Sequence, residues 1–263
     1  MVEIRGNVDP GATAGGLERT LPREAYVSEA FHELERERIF RAEWLCVGRE
    51  EALERPGEFL VVEPIGERLI VVRGKDGRLR AFHDVCRHRG SRLVLDDPPP
   101  CDRPRPAGRF RGSIVCPYHA WTYGLDGRLL GAPRFADVPG FDRSSYPLIP
   151  ARVAEWRGFV FANPSGEAPD LAEWVGNLEE LVAPWEPERL ETMASCAYTV
   201  RANWKVIVEN YHECYHCSSI HPALCRVTPP DSGENFPHTG RWVGGSMELA
   251  EGAETMSDRK SVV

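Results

Sequence analysis

No apolar run in this 263-residue chain approaches the length needed to cross a membrane. The opening residues, MVEIRGNVDPGATAGG, hold no apolar core of the kind a secretory leader carries. Basic residues form no long block and the formal net charge is −8, so the chain lacks the positive surface that phosphate binding requires. No internal repeat and no low-complexity tract is present. The expectation is a cytoplasmic globule that engages neither membrane nor nucleic acid. A hydrophobic content of 42% and a charged content of 27% suit an ordinary packed fold of one large or two modest domains. Eight cysteines are present: Cys46, Cys86, Cys101, Cys116, Cys196, Cys214, Cys217 and Cys225. In a cytosolic chain of this size they read as metal ligands or plain thiols rather than a disulfide framework.

The texture changes along the chain. Residues 1–20 are rich in glycine and small residues and read as a loose arm. Ser28 has the character of a helix N-cap, with Phe31, Leu34, Ile39, Phe40 and Trp44 following at roughly helical spacing. From Glu58 the runs EFLVVEP, RLIVVRG, RLRAF, SIVCPYH, WTYGL and WRGFVFAN are short and β-like, with turns at GKDG and at Asp126-Gly127. The proline-rich 96–109 stretch cannot be a central strand and reads as a surface loop. After Asn163-Pro164 the pattern turns helical: 171–182 is amphipathic, 191–206 contains an alternating strand-like piece, and 206–220 reads as a helix closed by Pro222.

Two short stretches carry the chemistry. CRHRG offers Cys86 and His88, and CPYHAW offers Cys116 and His119. Two thiolates and two imidazoles are a legitimate zinc shell. Three features favour an iron–sulfur cluster instead. Each loop holds one Cys and one His, both loops lie between short strands, and Gly90, Gly112 and Pro117 permit tight turns that aim backbone N–H groups at sulfur. Two Cys on one iron and two neutral His on the other penalise the reduced cluster less and raise its potential.

A second constellation is ENYHECYHCSSIHP, residues 209–222. Cys214-x-x-Cys217 is compatible with a redox or zinc pair. His212 and His216 are four apart, and Glu213 and His216 three apart, as helical neighbours. His216 and His221 are five apart, which separates them by about 140° on an ideal helix. They can share a metal only if the helix loosens, for which Ser218-Ser219 is a place. Polar residues lining a helix face would look the same.

The first motif, followed by N-W-K, E-N-Y and E-x-x-H-x4-H, resembles the α-subunit of a Rieske non-haem iron oxygenase. The resemblance runs from the first helix to about residue 256. It implies an α+β fold: an all-β Rieske iron–sulfur domain at 45–165, and an incomplete helix-grip α+β catalytic domain at 166–263. Residues 1–44 would be an arm and helix belonging to that catalytic domain. It also implies a 2Fe–2S cluster on Cys86, His88, Cys116 and His119, a mononuclear Fe(II) on His216 and His221, and Glu213 as the electron-transfer bridge. Two His and a carboxylate leave open positions for O₂ and substrate. Electrons would come from NAD(P)H through a partner reductase or ferredoxin, and the full-length protein would be a homotrimer. The family's third iron ligand is an Asp or Glu further on. Glu248, Glu251, Glu254 and Asp258 lack its helical setting, so the chain reads as C-terminally truncated.

The stretch E-C-Y-H-C, with Glu rather than Asp at 213, is similar to the branch that hydroxylates or demethylates glycine betaine, carnitine or choline. A quaternary ammonium substrate wants an aromatic cage. Trp204, Tyr211, Phe236 and Trp242 are candidates, although ordinary core is the plainer assignment. Aromatic-ring dihydroxylation, a Rieske electron carrier without catalysis, and a zinc-stabilised module are the alternatives.

Overall fold

A computed structural model describes residues 20–95, 107–135 and 137–253. Cys101 and most of the proline-rich loop lie outside the described residues, as do Glu254 and Asp258. Helices α1 (Glu24–Val27) and α2 (Glu29–Glu35) come first, and Arg36–Phe40 winds on as a π-helical turn. Ser28 caps α2: its hydroxyl accepts from Phe31 N–H at 3.3 Å.

Ten strands follow: β1 (Leu45–Arg49), β2 (Glu58–Val62), β3 (Leu69–Arg73), β4 (Leu79–His83), β5 (Ala107–Arg109), β6 (Ser113–Val115), β7 (Thr122–Gly124), β8 (Leu129–Gly131), β9 (Pro150–Trp156) and β10 (Phe159–Asn163). Seven form one antiparallel sheet in the order β1-β10-β9-β4-β3-β2-β5, and β6-β7-β8 form a second. Residues 107–109, expected to be loop, are the edge strand β5. Gly108 there faces Phe59 across the pair, and the three residues follow the last proline of the run.

Strands β2 and β3 explain why their sequence is apolar without alternation. Phe59, Val61, Ile70 and Val72 point into the layer shared with Ile114, Tyr123, Leu125, Leu129 and Leu148. Leu60, Val62, Leu69 and Val71 point the other way, onto Val47, Leu53, Val160 and Ala162. Period-two alternation persists, but both faces are buried. The small sheet is thereby fixed against the large one.

Beyond β10 come α3 (Leu171–Val175), α4 (Leu178–Val182), α5 (Trp204–Tyr211), α6 (Cys217–Ile220), β11 (Glu234–Asn235) and β12 (Gly245–Ser246). The single helix expected at 171–182 is broken at Gly176, whose φ of +57° is left-handed. A Cβ there would stand 2.1 Å from Thr239 O, so the segment near Thr239 packs where only glycine leaves room. The strand-like piece in 191–206 has no ladder: residues 191–203 are irregular and mostly exposed, because no described strand lies beside them. No helix among the described residues is long and apolar enough to cross a membrane.

Candidate metal centres

The first Cys/His loop leaves β4 and the second joins β6 to β7. Both close in the same way. Cys86 N–H donates to Ser91 O at 2.8 Å and Gly90 N–H returns to Cys86 O at 2.9 Å. Cys116 N–H donates to Trp121 O at 2.8 Å and Ala120 N–H returns to Cys116 O at 3.0 Å. The fourth residue after each Cys is left-handed, Gly90 at φ +70° and Ala120 at φ +58°. The second loop thus forces a non-glycine residue into a region that L-residues seldom visit.

The thiols point inward and the imidazoles outward. Cys86 and Cys116 are each 2% exposed, whereas His88 is half-buried and His119 exposed. The two rings stand 4.9 Å apart at 70°. Burial pushes the Cys86 thiol up, against hydrogen bonds from Tyr123 and the His88 N–H, while Cys116 adds to the rise. Burial, with His119 and Arg89, holds the His88 pKa down, which keeps it in the neutral form that ligates metal.

Three supports were not read from the motif. The Tyr123 hydroxyl accepts from Arg87 N–H at 3.1 Å and lies 3.3 Å from Cys86 Sγ. Trp121 stacks on His88 with ring centroids 4.9 Å apart and planes 8° from parallel, and its indole N–H is buried without a partner. Asp84 accepts from Leu93 N–H at 2.7 Å and Val94 N–H at 3.1 Å, and receives Arg68 Nε at 2.6 Å, which fixes the exit of the first loop. An apolar residue at Cys116+5 and a hydroxyl at Cys116+7 are the signals for the first two.

Two buried thiols, two adjacent imidazoles and an unpartnered indole N–H fit a two-iron cluster with two protein ligands per iron. Among the described residues, no three His, Cys, Asp or Glu side chains converge as a metal site. A shell that gives each iron only two protein ligands does not require it.

The second constellation departs from a continuous helix. Asn203 caps α5 by accepting from Lys205 N–H at 3.0 Å, and the helix ends at Tyr211. The chain then turns through 212–216 before α6 begins. The break lies before Ser218-Ser219, because the Glu213 carboxylate takes the Tyr215 N–H at 2.6 Å and the His216 ring N–H in place of helical bonds. His212 and His216 consequently share no helix face.

The turn brings the His216 and His221 rings to 5.2 Å, at 74°. With Nδ1 of His216 held by Glu213, its Nε2 is left to face a metal. That contact also holds the Glu213 carboxyl below its usual range. The residues present could supply two ligands of a mononuclear iron. Glu248 and Glu251 are exposed. Of the cage candidates, Trp204 pairs with Phe40, Tyr211 with His212 and Trp242 with His238, and Phe236 is half-buried. Tyr211 is 85% exposed and is not core either.

Helix α5 is held by the N-terminal segment. Lys205 and Glu35 form a buried ion pair, Trp204 Nε1 donates to Glu35 at 3.1 Å, and Tyr26 OH donates to Glu209 at 2.7 Å.

Two segments of the chain match known families. Residues 43–142 match the Rieske [2Fe-2S] domain, and 187–261 match the catalytic domain of the ring-hydroxylating alpha subunit. The chain thus matches, in tandem, a Rieske domain and part of a ring-hydroxylating alpha-subunit catalytic domain. It is 37% identical to the carnitine monooxygenase oxygenase subunit of Acinetobacter pittii, over 83% of this chain and 57% of that protein. It is 34% identical to the glycine betaine monooxygenase oxygenase subunit of Pseudomonas aeruginosa strain UCBPP-PA14, over 82% and 50%. A crystal structure of a quaternary ammonium Rieske monooxygenase with L-carnitine matches with a TM-score of 0.78 at 34% identity, covering 87% of this chain and 62% of that one. The chain therefore spans little more than half the length of these curated relatives.

Proposed function

We propose that this chain is part of the terminal oxygenase of a Rieske system. It takes electrons derived from NAD(P)H through a reductase or ferredoxin and uses O₂ to hydroxylate or oxidatively demethylate a small quaternary ammonium compound. Cys86, His88, Cys116 and His119 hold the 2Fe–2S cluster, His216 and His221 hold the mononuclear Fe(II), and Glu213 is the electron-transfer bridge. The observation that carries this is the pairing of two like-built Cys/His loops with a Glu213–His216 contact that aims a second imidazole pair.

The division proposed is 1–44 with the catalytic domain, 45–165 as the Rieske domain, and 166–263 as the portion of the catalytic domain that this chain spans. The Glu35–Lys205 pair supports joining the N-terminal helix to the later region. The Glu213 side chain is 47% exposed, which leaves room for a cluster imidazole from a neighbouring copy, as a homotrimer would provide. The setting proposed is the cytoplasm.

The experiment is to reduce the metal-loaded protein, supply isotopically labelled O₂ with L-carnitine or glycine betaine, and follow products by mass spectrometry. A product carrying a single labelled oxygen is expected. Labelled diol from an aromatic hydrocarbon, and none from the ammonium compounds, would favour ring dihydroxylation. No labelled product from a loaded protein would reject an oxygenase role.

A further inference from the structure

The turn that carries His216 also gathers sulfur that the iron reading leaves unused. Burial holds the Cys217 thiol pKa up, and Cys214 and Cys225 are near enough to add to that rise. Met247 Sδ lies 3.6 Å from Cys214 Sγ. All three cysteines are free thiols. Cys217 N–H donates to Cys214 O at 2.9 Å, which closes a four-residue turn. Such a turn brings its end Cα atoms within about 7 Å, and a disulfide spans roughly 4.4–6.8 Å. Cys214 is partly exposed and Cys217 is buried.

We infer that Cys214 and Cys217 are a peroxide-responsive dithiol that closes to a disulfide across the His216 turn. The Cys214 thiolate attacks hydrogen peroxide, the O–O bond breaks, and Cys214 becomes a sulfenic acid with release of hydroxide. Cys217 then displaces the sulfenic oxygen as water, and the S–S bond forms. In sum, two thiols lose two electrons and two protons, and one peroxide becomes two waters. Tyr215 and His216 are the residues enclosed by the new bond. Glu213 holds both, through the Tyr215 N–H and the His216 ring. Drawing the Cβ atoms of 214 and 217 to about 3.8 Å re-aims that ring and releases the iron. The disulfide itself needs nothing from the iron assignment; its effect on iron rests on the His216 reading.

The test treats the full chain with stoichiometric hydrogen peroxide, alkylates the remaining thiols and maps the peptides by mass spectrometry, with Fe(II) titrations before and after. The expected result is a 214–217 peptide lighter by two hydrogens, unalkylated, and restored by dithiothreitol. Cys225→Ser should keep the bond, and Cys217→Ser should leave a sulfenic acid at Cys214 that dimedone traps. Alkylation of both thiols after peroxide, a Cys214–Cys225 bond, or sulfinic acid without a disulfide would overturn the inference. Loss of Fe(II) binding on oxidation, reversed by dithiothreitol, supports the link to iron. A disulfide with unchanged Fe(II) binding would overturn that link alone, and a reduced chain that binds no Fe(II) at this site would count against the iron assignment instead.

Discussion

Cys86 and Cys116 sit at the ends of strands inside a core that is buried on both faces of β2 and β3, and each loop is closed by the same pair of backbone bonds. His216 and His221 flank the four-residue helix α6, His216 at the end of an exposed turn in which Tyr215 is 97% exposed. The three buried apolar clusters draw all their residues from 44–175. In the first region the fold itself aims the ligands. In the second, a carboxylate contact and the staple to the N-terminal helix do so. A site of the first kind should tolerate surface change and fail only when a ligand is lost. A site of the second kind should be sensitive to single polar groups.

The largest effect should come from Cys86→Ser or Cys116→Ser, with complete loss of acid-labile sulfide and of the visible absorption of the cluster. Survival of either would break the first half of the comparison. Next, Lys205→Met strands the Glu35 carboxylate, which is 4% exposed, and should cost about 3–5 kcal/mol. Chemical denaturation would read this, and Glu35→Leu in the same chain should recover most of it. Glu213→Gln should lower Fe(II) affinity roughly 10–100-fold with the sulfide content unchanged, as loss of an orienting partner does. Tyr123→Phe leaves the Arg87 N–H without its acceptor and should cost about 1–3 kcal/mol.

The smallest effect concerns pH. Burial alone would raise the Glu35 pKa, but hydrogen bonds from Lys205, Trp204 and His32 overcome it and hold the carboxyl below its usual range. A depressed folded pKa gives stability that is fully present above the unfolded value of about 4.3 and is lost as pH falls through the folded value. Acid unfolding below about pH 4 should therefore loosen α5 before the two-sheet core, and Lys205→Met should blunt that step. Amide hydrogen exchange would resolve the order.

Motif spacing exposed the candidate ligands because the chemistry constrains which residues can serve. Strands β4, β6 and β7 and the Ser28 cap followed from local pattern in the same way. What stayed hidden was set by contacts distant in sequence. Glu35 and Lys205 are 170 residues apart, and nothing near either one announces the other. Gly176 interrupts an amphipathic run because the Thr239 segment presses on it. The run 206–220 looks helical, but the Glu213 side chain captures its own turn. Ala120 takes a left-handed conformation that its side chain does not advertise, imposed by the closure of the Cys116 loop.

The most direct test is iron and acid-labile sulfide per chain on anaerobically purified protein. The account predicts about two sulfide with about three iron, the cluster plus the mononuclear site. About two of each would confine the chain to electron carriage, and no sulfide at all would contradict the account at its root.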